Sequence, residues 1–227
     1  VLGSEFTLAD GVRLVLYATD RATYGDLAQL ITRGRRNAAK GTYALTRERI
    51  AASQQRAELQ ALQLVLPAAR HDNNPLQDRV QVQAPAWLGR DTSAVYRARL
   101  QGQPSALVLE VVAPDGYGGP IHLLVAVDPG GRVLGVRVTA HSETPGLGDD
   151  IESDRSDWIT RFRGRALGDP PASRWALRRD GGDFDQFAGA TVTPRAVVLA
   201  VKRCLAFVAR HGEALQAAAP GNSLRFD

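Results

Sequence analysis

A single cysteine, Cys204, occurs among 227 residues, so no disulfide can form within the chain. No stretch approaches the run of about 18 apolar residues that a membrane helix requires. The most apolar segment, AVVLAVKRCLAFVA at 196–209, is broken by Lys202 and Arg203. The four histidines, His71, His122, His141 and His211, are scattered, and no Cys/His cluster has metal-binding spacing. Charge of one sign is also scarce. Lys plus Arg is 28 and Asp plus Glu is 24, and the resulting +4 is too mild to imply nucleic acid. The spacing GxxxxGK[ST] is absent, which excludes a P-loop. No nucleophile–His–Asp set or defined carboxylate pair stands out, which argues against a self-contained hydrolytic enzyme. No signal-peptide pattern is visible and the first residue is valine, so the sequence reads as a fragment, a processed product or a fusion.

What is present is ordinary for a globular protein: 44% hydrophobic and 23% charged residues, with length for one large domain or two small ones. VRLVLYA (12–18) predicts a short strand. TYGDLAQLITRGRRNAAKG (23–41) predicts a basic amphipathic helix, and its Arg33, Arg35, Arg36 and Lys40 form either a solvated face or a set of phosphate contacts. TRERIAASQQRAELQALQLVLP (46–67) predicts a long helix capped by Thr46, striped by Ile50, Leu59, Leu62 and Leu66, and stopped by Pro67. The middle predicts an antiparallel β-meander: SAVYRARL (93–100), SALVLEVVAP (105–114), IHLLVAVD (121–128) and RVLGVRVTAH (132–141). Ile121, Leu123, Val125 and Val127 alternate as one buried face requires. A short helix at 154–162, a strand SRWALRR at 173–179 and a last helix from Pro194 to about Gln216 follow. Strands flanked by helices in this order give an α+β class.

Two loops invite a ligand. In DFDQFAGATVTP (183–194), Thr193 and Pro194 have the signature of a helix start, Thr as cap and Pro at the first helical position. The free amides of that helix end favour a phosphate. Gly189 and Ala190 leave room beside it, and Thr191 stands about one turn ahead with a hydroxyl. The second loop, SETPGLGDD (142–150), combines Pro145, Gly146 and Gly148 with the hydrogen-bonding groups of Glu143 and Thr144. The residues by themselves leave both readings open: a capping turn and a structural Ω-loop, or two walls around one elongated phosphate-bearing molecule.

HSETPGLGDDIE, SDWITRF and DGGDFDQFAGATVTPRAVVLAVKR, in that order, resemble the G-subunit family of the Rnf (Rsx) ion-translocating electron-transport complexes. The resemblance covers about residues 45–213. It places the chain in the FMN-binding domain family, shared with the C-subunit of the sodium-translocating NADH:quinone reductase. It implies that a flavin transferase splits FAD and attaches FMN through its phosphate to the last threonine of a D-x-x-S/T-G-A-T motif. Here Asp185 opens that motif, Gly189 and Ala190 lie within it, and Thr191 is the acceptor. Ala188 stands where the family has Ser or Thr, and Thr193 is a partial substitute. Glu143, Thr144, Gly146, Leu147 and Gly148 are implied along the ring or ribityl chain. Trp158 lies either near the ring or in the core.

The resemblance further implies an electron relay rather than a complete enzyme, with the other members of the complex as partners. It implies an inner-membrane complex with this domain on the periplasmic side. Family members begin with a membrane helix, which this sequence lacks, so the chain is expected to behave as soluble. Residues 1–46 instead resemble a fragment of the PHP domain of error-prone DNA polymerase. The expected organisation is therefore a foreign or poorly integrated segment at 1–43, whose strand has no sheet of its own, a stalk helix at 44–70, and the FMN-binding domain at 71–227. The competing expectation is an unflavinylated binding module or a non-functional chimera. No nucleic-acid partner is expected.

Overall fold

The computed structural model describes residues 2–7, 13–18 and 47–227, the first two segments and residues 47–51 by backbone alone. The helix expected at 23–41 and the cap at Thr46 lie outside the described residues. The chain divides into two compact units, 1–60 and 61–227. In the first, β1 (Leu2–Thr7) and β2 (Arg13–Ala18) pair antiparallel, from Leu2 opposite Ala18 to Thr7 opposite Arg13. The strand in VRLVLYA therefore has a partner, contrary to expectation: residues 2–7 supply it.

The long helix forms as α1 (Arg47–Val65), and the unit boundary falls within it. In the second unit, six strands are ordered β7-β6-β5-β4-β3-β8. They are β3 (Arg79–Gln83), β4 (Ser93–Leu100), β5 (Gln103–Ala113), β6 (Ile121–Val127), β7 (Val133–Ala140) and β8 (Ser223–Arg225). All neighbours are antiparallel except β3 and β8. The four meander strands lie where alternation placed them. β3 and β8 are additions that the sequence does not announce. RVQVQ carries only two apolar residues, and β8 exists only because it runs parallel beside β3, with Gln81 opposite Ser223.

The sheet is buried on both faces, not on one. Val95, Leu107, Leu109, Val111, Ile121, Leu123, Val125 and Val127 form the first face. A short helix α2 (Pro85–Leu88), the long helix α3 (Val192–Ala217) and an aromatic cluster supply further residues to the same core. Ala94, Tyr96, Ala98, Ala106, Val108, Leu124 and Ala126 point the other way, into a smaller core with Leu62, Val65 and Leu66. Alternation along β6 is thus a change of core rather than of solvent exposure, because the end of α1 covers the second face.

The expected strand at 173–179 is absent. Its place is taken by two short 3-10 turns, Ala172–Arg174 and Arg178–Asp180. Trp175 and Leu177 do alternate into the core, but no sheet edge is offered to the backbone between them. Its hydrogen bonds go instead to the returning loop, Phe184 N–H to Ala176 O (3.1 Å) and Arg178 N–H to Phe184 O (2.7 Å). The helix expected at 154–162 is a 3-10 turn over Trp158–Phe162. Among the described residues no helix is long and apolar enough to cross a membrane.

Candidate functional site

The last helix begins two residues earlier than its proline suggests. Thr191 is the N-cap, Val192 the first helical residue, and Pro194 the third. Pro is tolerated there because first-turn amides have no intrahelical acceptor in any case. Thr193 is not a cap, since its hydroxyl is engaged elsewhere: it donates to Glu143 Oε2, with both side chains buried.

That bond joins the two loops. Glu143 Oε1 accepts from the Gly118 N–H at 3.0 Å, so one buried carboxyl group ties the β5–β6 turn, the 142–150 loop and α3 together. The Glu143 N–H donates to His141 Nδ1 at 3.0 Å. The ring proton then sits on Nε2, which donates to Glu152 Oε1 at 2.7 Å. Gly148 closes the contact. A Cβ at this position would lie 2.9 Å from both Glu143 Cβ and Oε2 and 3.0 Å from Thr193 Oγ1. Its φ of −90° suits any residue, so the demand for glycine is one of space. Gly148→Ala is expected to destabilise the protein by roughly 1–3 kcal/mol through overpacking. Urea unfolding checks this, and a change below about 0.5 kcal/mol would mean that the loops do not meet here.

Thr144, Pro145, Gly146 and Leu147 face outward. Thr144 O accepts the amides of Leu147 (3.1 Å) and Gly148 (3.0 Å). Gly146, at φ +77°, turns its amide onto Asp149 Oδ1 at 2.6 Å. This bracing leaves Leu147 on the surface, 43% exposed. Leu147 Cδ2 rests against Gly189, 3.4 Å from where a Cβ would stand. Gly189 has φ +76°, a left-handed conformation that favours glycine, and it carries the chain from exposed Ala188 to half-buried Ala190. Trp158 is a core residue: it is 4% exposed and packs edge-on against Phe162 and Phe187. Its indole N–H also holds the Asp185 carbonyl at 2.8 Å, steadying the base of the loop.

Asp185 does not join the Glu143–Thr193 contact. Its carboxylate is shared by Arg161 and by Arg178, whose Nε lies 3.1 Å from Oδ1. Thr191 has a different neighbour. Arg179 Nη1 donates to Thr191 Oγ1 at 3.0 Å, and the threonine makes no side-chain cap bond to its helix. Sequence reasoning missed Arg179 because it fell within the expected strand. The available signal was the basic pair Arg178–Arg179 immediately before DGGDF. The result is a partly exposed threonine at the positive end of a 26-residue helix, with a guanidinium on its hydroxyl and an exposed leucine against Gly189 two residues before it. Such a spot suits an anionic group attached to something apolar. Among the described residues no group of His, Cys, Asp or Glu is placed to hold a metal.

The FMN-binding domain family matches residues 116–206, which span both loops and the first half of α3. The chain is also 53% identical over 173 residues to the G-subunit of the ion-translocating oxidoreductase complex of Pseudomonas aeruginosa strain UCBPP-PA14, covering 76% of this chain and 81% of that protein. The corresponding protein of Vibrio cholerae serotype O1 strain M66-2 is 47% identical over 175 residues, covering 77% and 83%. That of Salmonella typhimurium strain LT2 is 55% identical over 139 residues, covering 61% and 67%. The chain belongs to the G-subunit family of ion-translocating oxidoreductase complexes. The expected PHP resemblance of residues 1–46 falls largely on residues outside those described.

Proposed function

We propose that this chain is the FMN-carrying electron-transfer member of an ion-translocating oxidoreductase complex of the Rnf type. FMN is attached through its phosphate to Thr191 Oγ1. The carrying observation is the state of Thr191. It stands at the N-cap of a helix, partly exposed as a residue, yet its oxygen is not spent on the helix amides. The surrounding residues fit the group: Gly189 and Ala190 are small, Leu147 and Val192 present exposed apolar surface, and Arg179 offers positive charge. When bound, FMN supplies the redox chemistry; the protein supplies position and electrostatics. Thr191 fixes the phosphate end, Leu147 and Val192 offer apolar contact to the ring, and the Glu143–Thr193–Gly148 contact keeps the two loops in register. Asp185 acts from a distance, by holding Arg161 and Arg178.

The transferase and the other members of the complex are the partners, and the domain faces the periplasm from an inner-membrane assembly. Residues 1–43 form a separate segment, 44–70 a stalk helix and 71–227 the flavin domain. Intact mass after incubation with flavin transferase and FAD tests the reading. The chain should gain one FMN less one water, and so should residues 44–227 alone. No gain in mass would favour the unflavinylated module.

Ala188 bears on that alternative. It is exposed, so a hydroxyl there can reach solvent, flavin or transferase without repacking. Ala188→Thr is expected to raise the initial rate of flavin attachment about two- to tenfold, the worth of one neutral hydrogen bond. Equal rates by mass spectrometry would remove any functional meaning from this position.

A further inference from the structure

We propose that Arg179 is the phosphate-binding cation of the attachment site. Its guanidinium holds the FMN phosphate of the incoming FAD and afterwards pairs with the phosphodiester on Thr191. The inference rests on the flavin attachment proposed above and concerns a residue outside the motif.

The placement of Arg179 is built. Residues 178–180 form a single 3-10 turn, whose successive side chains point in directions about 120° apart. Both outer residues are anchored. Arg178 Nε pairs with Asp185 at 3.1 Å. Asp180 receives a two-pronged bond from Arg195 in the first turn of α3, Nε to Oδ2 at 2.8 Å and Nη2 to Oδ1 at 3.0 Å. This bond lowers the Asp180 pKa, helped by the charges of Arg195 and Arg179. With its neighbours tied to the motif loop on one side and to the helix on the other, Arg179 is directed onto Thr191 Oγ1.

Charge accounting singles out the same residue. Arg161 pairs with Asp157 and Asp185, Arg178 with Asp185, and Arg195 with Asp180. Among the described residues Arg179 has no ion-pair partner; its hydrogen bond goes to an uncharged hydroxyl. A guanidinium with no ion-pair partner, beside the hydroxyl of a partly exposed threonine and a helix N-terminus, suits a phosphate.

The transfer balances with FAD as co-reactant. Thr191 Oγ1 forms a bond to the FMN phosphorus, the P–O bond to the adenylate half breaks, AMP leaves, and the hydroxyl proton passes to a base on the transferase. The phosphodiester left on Thr191 carries one negative charge, which Arg179 meets.

The test compares wild type, Arg179→Gln, Arg179→Lys and Thr191→Ala with the transferase and FAD, following initial attachment rates by intact mass. The 31P resonance of each loaded protein gives a second measurement. Arg179→Gln is expected to attach flavin at least about tenfold more slowly, the effect of losing one charge-assisted hydrogen bond. Arg179→Lys should fall between, because it keeps the charge without the planar fork. The 31P signal should shift in the Gln variant. Gln still offers an N–H to Thr191, so a purely structural role predicts the wild-type rate. A Gln variant within twofold of wild type, with an unmoved 31P signal, overturns the role of Arg179 and leaves the attachment reading intact. A wild type that takes no flavin, or a Thr191→Ala protein that takes it normally, overturns both.

Discussion

Thr191→Ala is expected to abolish covalent flavin attachment, and Thr191→Ser to retain part of it. The structure gives the reason in terms of supply. The neighbouring threonine hydroxyl, Thr193, is buried against Glu143 and cannot replace the acceptor without opening the contact between the loops. Residues 188–190 offer no hydroxyl. The serine variant keeps the nucleophilic oxygen but gains rotamers, since the β-methyl no longer restricts χ1. In a denaturing gel, the fluorescent band should vanish for the alanine variant and persist, weaker, for serine. Fluorescence of undiminished strength in Thr191→Ala would place the linkage elsewhere. The substitution should scarcely alter stability, because the side chain makes no cap bond.

Arg97→Met has the opposite profile: a large loss of stability from a residue remote in sequence from the motif. Arg97 lies in the middle of β4 and is fully buried. Its Nε donates to Asp78 Oδ1 at 2.8 Å, and Nη2 reaches the same oxygen. Nη1 serves the end of α3, donating to the carbonyls of Leu215 (3.1 Å), Gln216 (3.4 Å) and Ala218. These are acceptors that a helix C-terminus leaves without partners. Methionine fills much of the volume but strands those carbonyls and half of the Asp78 carboxylate. Removing one partner of such a buried pair costs roughly 3–5 kcal/mol. For a chain of this length that lowers Tm by about 10 °C or somewhat more. Arg99→Ala is the internal comparison: Arg99 also binds Asp78, at 2.7 Å, but from a quarter-exposed position, and should lose far less. Calorimetry on both variants decides the matter, and equal small losses would mean that Arg97 does not hold the helix end.

The elements legible in the sequence are those with a period and a punctuation mark. The four meander strands alternate and end at Gly or Pro turns, and α1 has its stripe and Pro67. Where the structure departs, a partner remote in the chain made the decision. β8 needs β3 beside it. The second buried face of β6 needs the end of α1. The strand expected at 173–179 fails because its backbone is paired with residues 183 and 184 instead of a sheet. The site divides in the same way. Glu143, Gly148, Gly189, Thr191 and Thr193 lie in recognisable short motifs, but the bond between Glu143 and Thr193 crosses fifty positions. That bond also shifts the helix start, by taking the hydroxyl that looked like the cap. Arg179 and Arg97 belong to no motif, and only three-dimensional proximity gives them their partners.

The length of α3 has a mechanical consequence. Its 26 residues form a rod of about 39 Å, at 1.5 Å per residue. One end carries Thr191, and the other is gripped through its carbonyls by Arg97 from within the sheet. A cofactor fastened to the first end is thus hung from a stiff beam clamped at its far end, and the peptide at the attachment point contributes little swing. If FMN is attached there as proposed, the reach of its isoalloxazine between an electron donor and an acceptor must come from the single bonds of its own ribityl tether, or from movement of the whole domain as one body.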